Sequence, residues 1–305
     1  MSLDAKSWLL VALGGISIFH FLTLGYAVAR KRREAAASGS SVAIAPSPTG
    51  VGIGFITNFF DTLGIGSFAP TTSLFRFFKS VPDENIPGTL NVGHTIPTLI
   101  EAYIFIQAVQ VDPLTLISMI VASTLGAWLG AGVVSGLSRT AVQKGMGICL
   151  FVAALLLAAK AAGIGPKPGM AEGVTGGLLI IALVGNFILG ALMTLGIGLY
   201  GPCLILVSML GMNPKAAFPI MMGSCAFLMP VASARFAKTM RFDLKAALGL
   251  VIGGAPAVLI AALIVKEMPL QYVMWLVVVV VLYTSVTMLR AATRSSKTAG
   301  AAAPV

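Results

Sequence analysis

The sequence predicts an all-α integral membrane protein made of two inverted repeats. Each repeat has a glycine-interrupted re-entrant helix pair and three transmembrane helices, and one extra transmembrane helix precedes them. Of the 305 residues, 57% are apolar and 10% are charged, whereas soluble domains carry about 25% charged residues. The apolar residues form several runs of about 20, enough for a helix to cross the hydrocarbon. Two glycine-rich interruptions recur at a fixed spacing, which predicts the duplication.

The first predicted element is the apolar run from Trp8 to Ala29, which four basic residues, Arg30–Arg33, follow at once. The run is too long for the apolar core of a signal peptide and lacks a basic segment before it. We therefore expect residues 1–33 to be a transmembrane helix. Residues 34–49 are rich in Ala, Ser and Pro, which predicts a flexible linker. The similar composition of residues 291–305 predicts a disordered cytoplasmic tail.

The two halves of the remaining chain begin with the same motif. The motif residues are Thr62-Leu63-Gly64-Ile65-Gly66 with Pro70, and Thr194-Leu195-Gly196-Ile197-Gly198 with Pro202. The spacing between the copies is 132 residues throughout. A repeat at one fixed period indicates duplicated structural units. We assign residues 50–165 to repeat 1 and residues 166–290 to repeat 2.

The distribution of Lys and Arg predicts how the halves are oriented. A re-entrant segment returns to the side from which it entered, so each half crosses the membrane three times. Because this number is odd, the second half should run in the opposite direction to the first. If Arg30–Arg33 are cytoplasmic, this topology leaves five of the 20 Lys and Arg residues outside, namely Lys6, Lys160, Lys167, Lys215 and Lys266. The bias agrees with the positive-inside rule, whereas a parallel duplication would scatter the charges. We expect a multi-pass protein of the cell inner membrane, with the N-terminus outside and the C-terminus cytoplasmic.

The two TLGIG motifs with their prolines, each heading one half of a small multi-helix protein, resemble the sulfite exporter TauE/SafE family over roughly residues 50–290. The resemblance implies a secondary transporter of a small sulfur-containing anion, such as sulfite or an organosulfonate. It also implies the bacterial inner membrane as the location. The extra helix over residues 8–29 is not typical of the family.

The interrupted helices are the predicted substrate site. Backbone groups left unpaired in hydrocarbon need protein, substrate or water to satisfy them, and helix N-termini offer free N–H groups and partial positive charge to an anion. The candidate binding residues are Thr62, Gly64, Gly66, Ser67, Pro70, Thr71, Thr194, Gly196, Gly198, Leu199, Pro202 and Cys203. Alternatively, the glycines only permit close helix packing. The C-termini of the first half-helices would also attract a cation.

Three ionisable residues lie at membrane depth. Asp61 adjoins the first motif, while His94 and Glu101 are seven residues apart and share one helix face. Such residues often serve ion or proton paths, so Asp61, His94 and Glu101 are candidates for proton coupling. The structural alternatives are a fixed hydrogen-bonded pair between helices, or Asp61 as a cap of the helix break. Met193 stands at the position equivalent to Asp61, so proton chemistry is expected in the first half.

Other function classes are less well supported. The chain has no HExxH or GxSxG motif, so we predict that it is not an enzyme. Its three cysteines lack ligand spacing and its two histidines lie in separate helices, so no metal or cofactor is expected. The basic residues cluster between apolar runs, which excludes nucleic acid as a partner and leaves a small anionic substrate and the lipid bilayer. An anion channel, an intramembrane enzyme and an assembly subunit remain alternatives, and the oligomeric state stays open.

Overall fold

The computed structural model describes residues 5–39, 45–164, 169–196, 198–264 and 270–301. Within these ranges the chain forms eleven α-helices, two short 3₁₀ turns and no β-strand. The helices are α1 (Ala5–Ala37), α2 (Pro48–Thr62), α3 (Phe68–Phe77), α4 (Ile86–Ala108), α5 (Pro113–Val134), α6 (Arg139–Ala161), α7 (Gly176–Met193), α8 (Tyr200–Met209), α9 (Ala217–Thr239), α10 (Leu244–Ile264) and α11 (Leu270–Ala301). The predicted all-α class is therefore confirmed for the described residues.

Six helices of the described part are long and apolar enough to cross a membrane. They are α1, α5, α6, α7, α10 and the segment Pro214–Thr239 that contains α9. Helix α4 has 23 residues, also enough for a crossing, and it carries buried polar residues that include His94 and Glu101. The fold is thus that of a multi-pass membrane protein whose polar side chains face the inside of the bundle.

Both predicted helix interruptions are present. Helix α2 ends at Thr62 and α3 begins at Phe68, and between them Gly64 and Gly66 have φ angles of 84° and 94°. In the second interruption, between α7 and α8, the equivalent glycines also have positive φ angles, 94° at Gly196 and 77° at Gly198. Residues with a Cβ atom rarely adopt these angles, so the glycines are required by the breaks.

Proline fits the start of the helix that follows each break. Pro70 is the third residue of α3 and Pro202 is the third residue of α8. The first N–H groups of a helix have no acceptor within it, so proline loses no hydrogen bond there. The two prolines therefore help each helix to restart.

Helices α2, α4 and α10 run side by side in the same direction. The contacts, in chain order, are Gly50 with Ala246, Gly54 with Leu250 and Asn58 with Gly254 for α2, and Gly88 with Arg241, Gly93 with Ala247 and Pro97 with Gly254 for α4. In both sets, residues later in α2 or α4 contact residues later along the chain in and just before α10, so the helices run in the same direction. Glycine permits this close approach, because most of these positions leave no room for a side chain.

Helices α5, α7 and α9 form a second group, and these three helices also run in the same direction. The contacts are Met119 with Asn186, Ser123 with Gly190 and Gly126 with Ala191 between α5 and α7, and Ile120 with Gly223 and Trp128 with Arg235 between α5 and α9. The two groups are antiparallel, since Gly88 at the start of α4 lies against Phe236 near the end of α9, whereas Ile106 lies against Gly223. Helices α6 and α11 contact each other as well, with Gly147 against Leu289.

One end of the bundle, which we call the basic end, carries most of the described Lys and Arg residues. It contains the end of α1, where the Arg30 guanidinium donates to the Lys238 carbonyl oxygen at 2.8 Å. It also contains the end of α3 and the start of α6, where Arg76 and Arg139 share Asp83 at 2.6 and 3.9 Å. Lys6, Lys160 and Lys215 belong to the opposite end. Lys167 and Lys266 lie outside the described residues.

Two segments differ from the sequence expectation. Helix α1 continues to Ala37, so the start of the predicted linker 34–49 is helical, and residues 40–44 lie outside the described part. Helix α11 continues to Ala301, so the described part of the predicted disordered tail is helical as well. Alanine is the strongest helix former, and its abundance in both segments accounts for the difference.

The tight contact between α5 and α7 yields a stability prediction. A Cβ atom at Gly126 would clash with the Phe187 carbonyl oxygen, whereas one at Gly132, six residues along the same helix, would meet nothing within 4 Å. We expect Gly126→Ala to lower the free energy of unfolding by about 1–3 kcal/mol, the usual cost of overpacking. Gly132→Ala is the matched control and should leave thermal melting of the purified protein unchanged. Equal melting temperatures for the two variants would contradict the observed helix packing.

Candidate substrate site

The two helix breaks line a single cavity of about 370 Å³. The first break and α3 contribute Gly64, Gly66, Phe68, Ala69 and Pro70, and the second break and α8 contribute Gly198, Tyr200, Gly201 and Pro202. Gly163, Ile164 and Pro214 also line the cavity. These three residues flank helix ends at the end of the bundle opposite the basic end. The cavity therefore reaches from the two breaks toward that end.

Two helix N-termini meet at the cavity, and neither is capped by the side chain of the residue that precedes the helix. Neither Ser67, which precedes α3, nor Leu199, which precedes α8, makes a side-chain hydrogen bond to its helix. The first two residues of each helix, Phe68 and Ala69 or Tyr200 and Gly201, line the cavity, and their N–H groups have no acceptor within the helix. The cavity thus combines backbone donors with the positive ends of two helix dipoles, an arrangement that favours an anion.

A lysine completes this positive environment. The Lys160 ammonium group, in the last turn of α6, donates to the Gly64 carbonyl oxygen at 2.8 Å and lines the cavity. Sequence reasoning counted Lys160 among the charges outside the membrane and did not predict that it lines the cavity. A signal was present, because Lys160 interrupts the apolar run at Leu155–Ala162 before the helix has ended. A lysine stem extends far enough along apolar surface to bring the charge to a distant site.

Glu101 links three helices behind the cavity. It is fully buried. Its Oε1 lies 2.8 Å from the Thr62 hydroxyl at the end of α2, and its Oε2 accepts a hydrogen bond from the Tyr200 hydroxyl of α8 at 2.5 Å. The Thr62 hydroxyl also lies 2.9 Å from the Asn58 carbonyl oxygen.

The Thr62 hydroxyl has only one proton, which it donates either to Glu101 or to Asn58. With an ionised Glu101, Thr62 donates to the carboxylate. With a protonated Glu101, the carboxyl proton is donated to Thr62, and Thr62 donates to the Asn58 carbonyl oxygen. Every hydroxyl and carboxyl proton has an acceptor in both states, so the network accommodates the gain or loss of one proton.

His94 belongs to a neighbouring network and not to the cavity wall. Its Nδ1 lies 2.9 Å from Asn58 Oδ1 and its Nε2 lies 3.0 Å from the Thr71 hydroxyl. The Asn58 amide nitrogen donates to the Gly54 carbonyl oxygen at 2.7 Å, which fixes Oδ1 as the acceptor for Nδ1–H. The Thr71 hydroxyl also lies 3.0 Å from the Thr57 hydroxyl, so its one proton is shared between these two possible acceptors. The imidazole thus ties α2 and α3 to α4.

Asp61 spans the first helix break. Its carboxyl group faces the Ser67 hydroxyl and backbone N–H, as expected for the alternative in which Asp61 caps the break. Asp61 also lines a small internal cavity of about 10 Å³, together with Ser67, Leu199, Tyr200 and Cys225. This volume is about enough for one water molecule.

The predicted binding residues are distributed over these sites. Gly64, Gly66, Pro70, Gly198 and Pro202 line the larger cavity, and Ser67 and Leu199 line the small internal one. The other five predicted residues line neither cavity. Thr62 is hydrogen-bonded to Glu101, and Thr71 is hydrogen-bonded to His94. Thr194 donates to the Ala191 carbonyl oxygen, Gly196 lies against Met146, and Cys203 is buried.

Comparison with known proteins gives one significant match. No curated protein and no solved structure matches the chain significantly. The family model of the sulfite exporter TauE/SafE matches residues 1–157. The match includes α1, which lay outside the expected range of 50–290, and it ends within α6. Because it covers more than half of the 305 residues, the protein belongs to the sulfite exporter TauE/SafE family, a family of membrane transporters.

Proposed function

We propose that the protein is a secondary transporter that binds a small sulfur-containing anion, such as sulfite or an organosulfonate, between the two broken helices. One observation carries this proposal: both helix breaks, the N-termini of α3 and α8 and Lys160 line the same cavity. Family membership supports sulfur oxyanions as the substrate class. The volume of about 370 Å³ is ample for an anion of this size.

The chemistry of the lining favours an anion over a cation. Sulfite presents negatively charged oxygens that accept hydrogen bonds, and the cavity offers N–H groups of α3 and α8 together with the Lys160 ammonium group. Hydrogen bonds to charged groups are about twice as strong as neutral ones. A cation would require carbonyl oxygens from the end of α2, but the Gly64 carbonyl oxygen already accepts a hydrogen bond from Lys160.

The proposed transporter has inverted repeats. Equivalent helix pairs support this architecture, because α2 packs along α10 just as α7 packs along α5, and the equivalent helices α4 and α9 are antiparallel. We also infer that α2 and α3 form a re-entrant pair. The start of α2 and the end of α3 both adjoin the basic end, through Lys245 and Asp83 respectively. Broken helices of two inverted repeats commonly hold the substrate of a transporter near the bilayer midplane.

The proposed orientation follows from the basic end. We assign that end to the cytoplasm by the positive-inside rule, with the N-terminus outside, the C-terminus inside and the inner membrane as the location. The substrate cavity then opens away from the cytoplasm in this conformation. We further propose that transport is coupled to protons through Glu101, with Asp61 and His94 as further candidates in the first half.

The anion site is tested by the variant Lys160→Met, which keeps an apolar stem and removes the charge. A hydrogen bond to a charged group contributes about 1.5–3 kcal/mol, so we expect sulfite binding to weaken about 10- to 100-fold. Binding is measured by titration calorimetry of the purified protein. Lys215→Met is the matched control, because Lys215 is exposed at the same end and does not line the cavity. Wild-type affinity in Lys160→Met would exclude the lysine from the site.

A second measurement distinguishes a transporter from the alternative of an anion channel. Liposomes that contain the protein are loaded with unlabelled sulfite, and uptake of labelled sulfite from outside is followed. A transporter exchanges substrate across the membrane, so preloading should accelerate uptake. A channel would give no such acceleration.

A further inference from the structure

The substrate cavity is larger than a small inorganic anion requires. Sulfite is a single sulfur atom with its oxygens, whereas cavities of about 300–1,000 Å³ hold ligands of drug size. The cavity volume of about 370 Å³ therefore leaves room for substrate atoms beyond the charged group. The side chains around this remaining space indicate the chemistry of those atoms.

The wall of the remaining space is formed by one face each of two helices. Its residues recur every three or four positions, which is the spacing of a single helix face. They are Ala153, Leu156, Leu157 and Lys160 of α6 and Gly201, Leu204, Ile205 and Ser208 of α8. Each face spans eight residues, or about 10 Å along the helix axis. The wall is therefore long enough to accompany a short carbon chain.

Aliphatic side chains occupy the middle of both faces. We call these four residues, Leu156, Leu157, Leu204 and Ile205, the aliphatic wall. Leu156, Leu157 and Ile205 are half-buried, and the hydrophobic core of the described part of the chain does not include them. Apolar surface of the aliphatic wall is therefore available to a ligand in the cavity.

The groups that bind an anion lie beside the aliphatic wall in the same cavity. They are the first N–H groups of α3 and α8 and the ammonium group of Lys160. The ammonium group has three N–H donors, of which the Gly64 carbonyl oxygen uses one. Charged oxygens lose their hydration against aliphatic side chains without compensation, so sulfite gains nothing from the wall. A ligand with both a charged group and an apolar part uses the whole cavity.

We propose that the preferred substrate is an amphiphilic anion, namely an organosulfonate with a short aliphatic tail. Its sulfonate group binds at the two helix N-termini and Lys160, and its tail lies between α6 and α8 against Leu157 and Ile205. This inference rests on the proposed transport function and narrows its substrate class. Burial of apolar surface drives the tail into the cavity, and each buried methylene strengthens binding about fourfold.

A series of straight-chain sulfonates, from methanesulfonate to butanesulfonate, tests the aliphatic wall. Binding is measured by titration calorimetry in phosphatidylcholine nanodiscs, so that no detergent competes for the cavity, and empty nanodiscs give the heat of partitioning. We expect the dissociation constant to fall about fourfold per added carbon, and so about 60-fold over the series. A dissociation constant that does not depend on chain length would overturn the inference.

A neutral sulfone of the same chain length separates the tail from the charge. Butyl methyl sulfone keeps the butyl chain of butanesulfonate but has no negative charge. Because hydrogen bonds to charged groups are about twice as strong as neutral ones, we expect it to bind at least about tenfold more weakly. Equal binding of the two compounds would show a general apolar slot, such as one for lipid chains, and would contradict an amphiphilic anion as the ligand.

The variants Leu157→Ser and Ile205→Ser remove one aliphatic side chain each from the wall. Butanesulfonate affinity should fall at least about fourfold, the effect of one buried methylene. Sulfite affinity should change less than twofold, and this retained binding shows that the variant is folded. The serine hydroxyl bonds a backbone carbonyl oxygen of its own helix, so the membrane tolerates it.

The matched control is Leu155→Ser, two residues before Leu157 on the exposed face of α6 and outside the cavity lining. It should retain wild-type affinity for sulfite and for butanesulfonate. Equal losses of butanesulfonate affinity in Leu155→Ser and Leu157→Ser would also overturn the inference. The two proposals fail differently. Sulfite binding without any preference for longer tails removes only the amphiphilic substrate, whereas absence of binding for every anion in the series removes the proposed function as well.

Discussion

A carboxylate at Ala69 or at Gly201 is expected to abolish sulfite binding while the protein stays folded. Each residue is the second of its helix, in α3 and α8 respectively, and both line the substrate cavity. The new negative charge would repel the anion and would also accept the hydrogen bonds that the anion needs. Juxtaposed like charges cost several kcal/mol, so we expect affinity to fall by at least about 100-fold.

The fold should tolerate these substitutions. An acidic side chain in the first turn of a helix stabilises it by about 0.3–1 kcal/mol. A Cβ atom at Gly201 would meet nothing within 4 Å, and Gly201 has no positive φ angle. Melting temperatures of Ala69→Asp and Gly201→Asp should therefore match or exceed that of the wild type.

The neutral variants Ala69→Asn and Gly201→Asn separate charge from size. Asparagine has nearly the shape of aspartate but lacks the charge, so these controls should lose less than about tenfold in affinity, the range of one neutral hydrogen bond. Titration calorimetry with sulfite measures all four proteins. Retained binding in well-folded Ala69→Asp and Gly201→Asp would show that the helix N-termini do not hold the anion.

The pair of positions also tests the repeat. Ala69 and Gly201 are 132 residues apart, so they are equivalent in the two halves. If the substrate lies between the halves, both aspartates should be similarly damaging. A strong effect from Ala69→Asp alone would confine the site to the first half.

The helix breaks were predictable from the sequence because their causes are local. Positive φ angles at Gly64 and Gly196 and the tolerance for Pro70 and Pro202 in a first helical turn are properties of single residues. The same holds for the polar residues within apolar runs, which indicated buried groups such as Glu101. A fixed spacing then indicated that the two breaks belong to equivalent units.

The partners of the polar side chains were not predictable in the same way. Sequence spacing predicts the depth and the helix face of Thr62 and Thr71. It does not predict that Thr62 contacts Glu101 and that Thr71 contacts His94, rather than a substrate. Lys160 was assigned to the end of the bundle where it lies, but its contact with the Gly64 carbonyl oxygen was not predicted, because a charge suggests the surface and a long side chain can reach a distant site. Contacts between distant segments decide such cases, and a single sequence does not contain them.

Glu101→Gln is expected to remove the pH dependence of transport. The Glu101 carboxyl joins Thr62 of α2 to Tyr200 of α8, and therefore one half of the protein to the other. The Thr62 hydroxyl switches its acceptor between Glu101 and the Asn58 carbonyl oxygen according to the proton on Glu101. Glutamine imitates only the protonated state, since its amide N–H donates to Thr62 while its oxygen accepts from Tyr200. The variant should fold normally but be unable to exchange the proton.

The measurement is flux of an organosulfonate into liposomes, with and without an imposed proton gradient. An organosulfonate is used because its charge is constant around neutral pH, whereas sulfite itself titrates there. We expect Glu101→Gln to lose at least about tenfold in gradient-driven uptake, equivalent to about 1.4 kcal/mol. Binding at fixed pH should change little, since Glu101 does not line the substrate cavity.

Two controls make this result specific to Glu101. Glu172→Gln neutralises an exposed carboxylate and should retain wild-type transport at every pH. Tyr200→Phe removes one hydrogen bond but keeps the carboxyl group, so its transport should still depend on pH. If Glu101→Gln retains gradient-driven uptake with the pH profile of the wild type, Glu101 only holds the helices together. Asp61→Asn, which alters the other buried carboxyl of the first half, would then be the variant in which the proton dependence is lost.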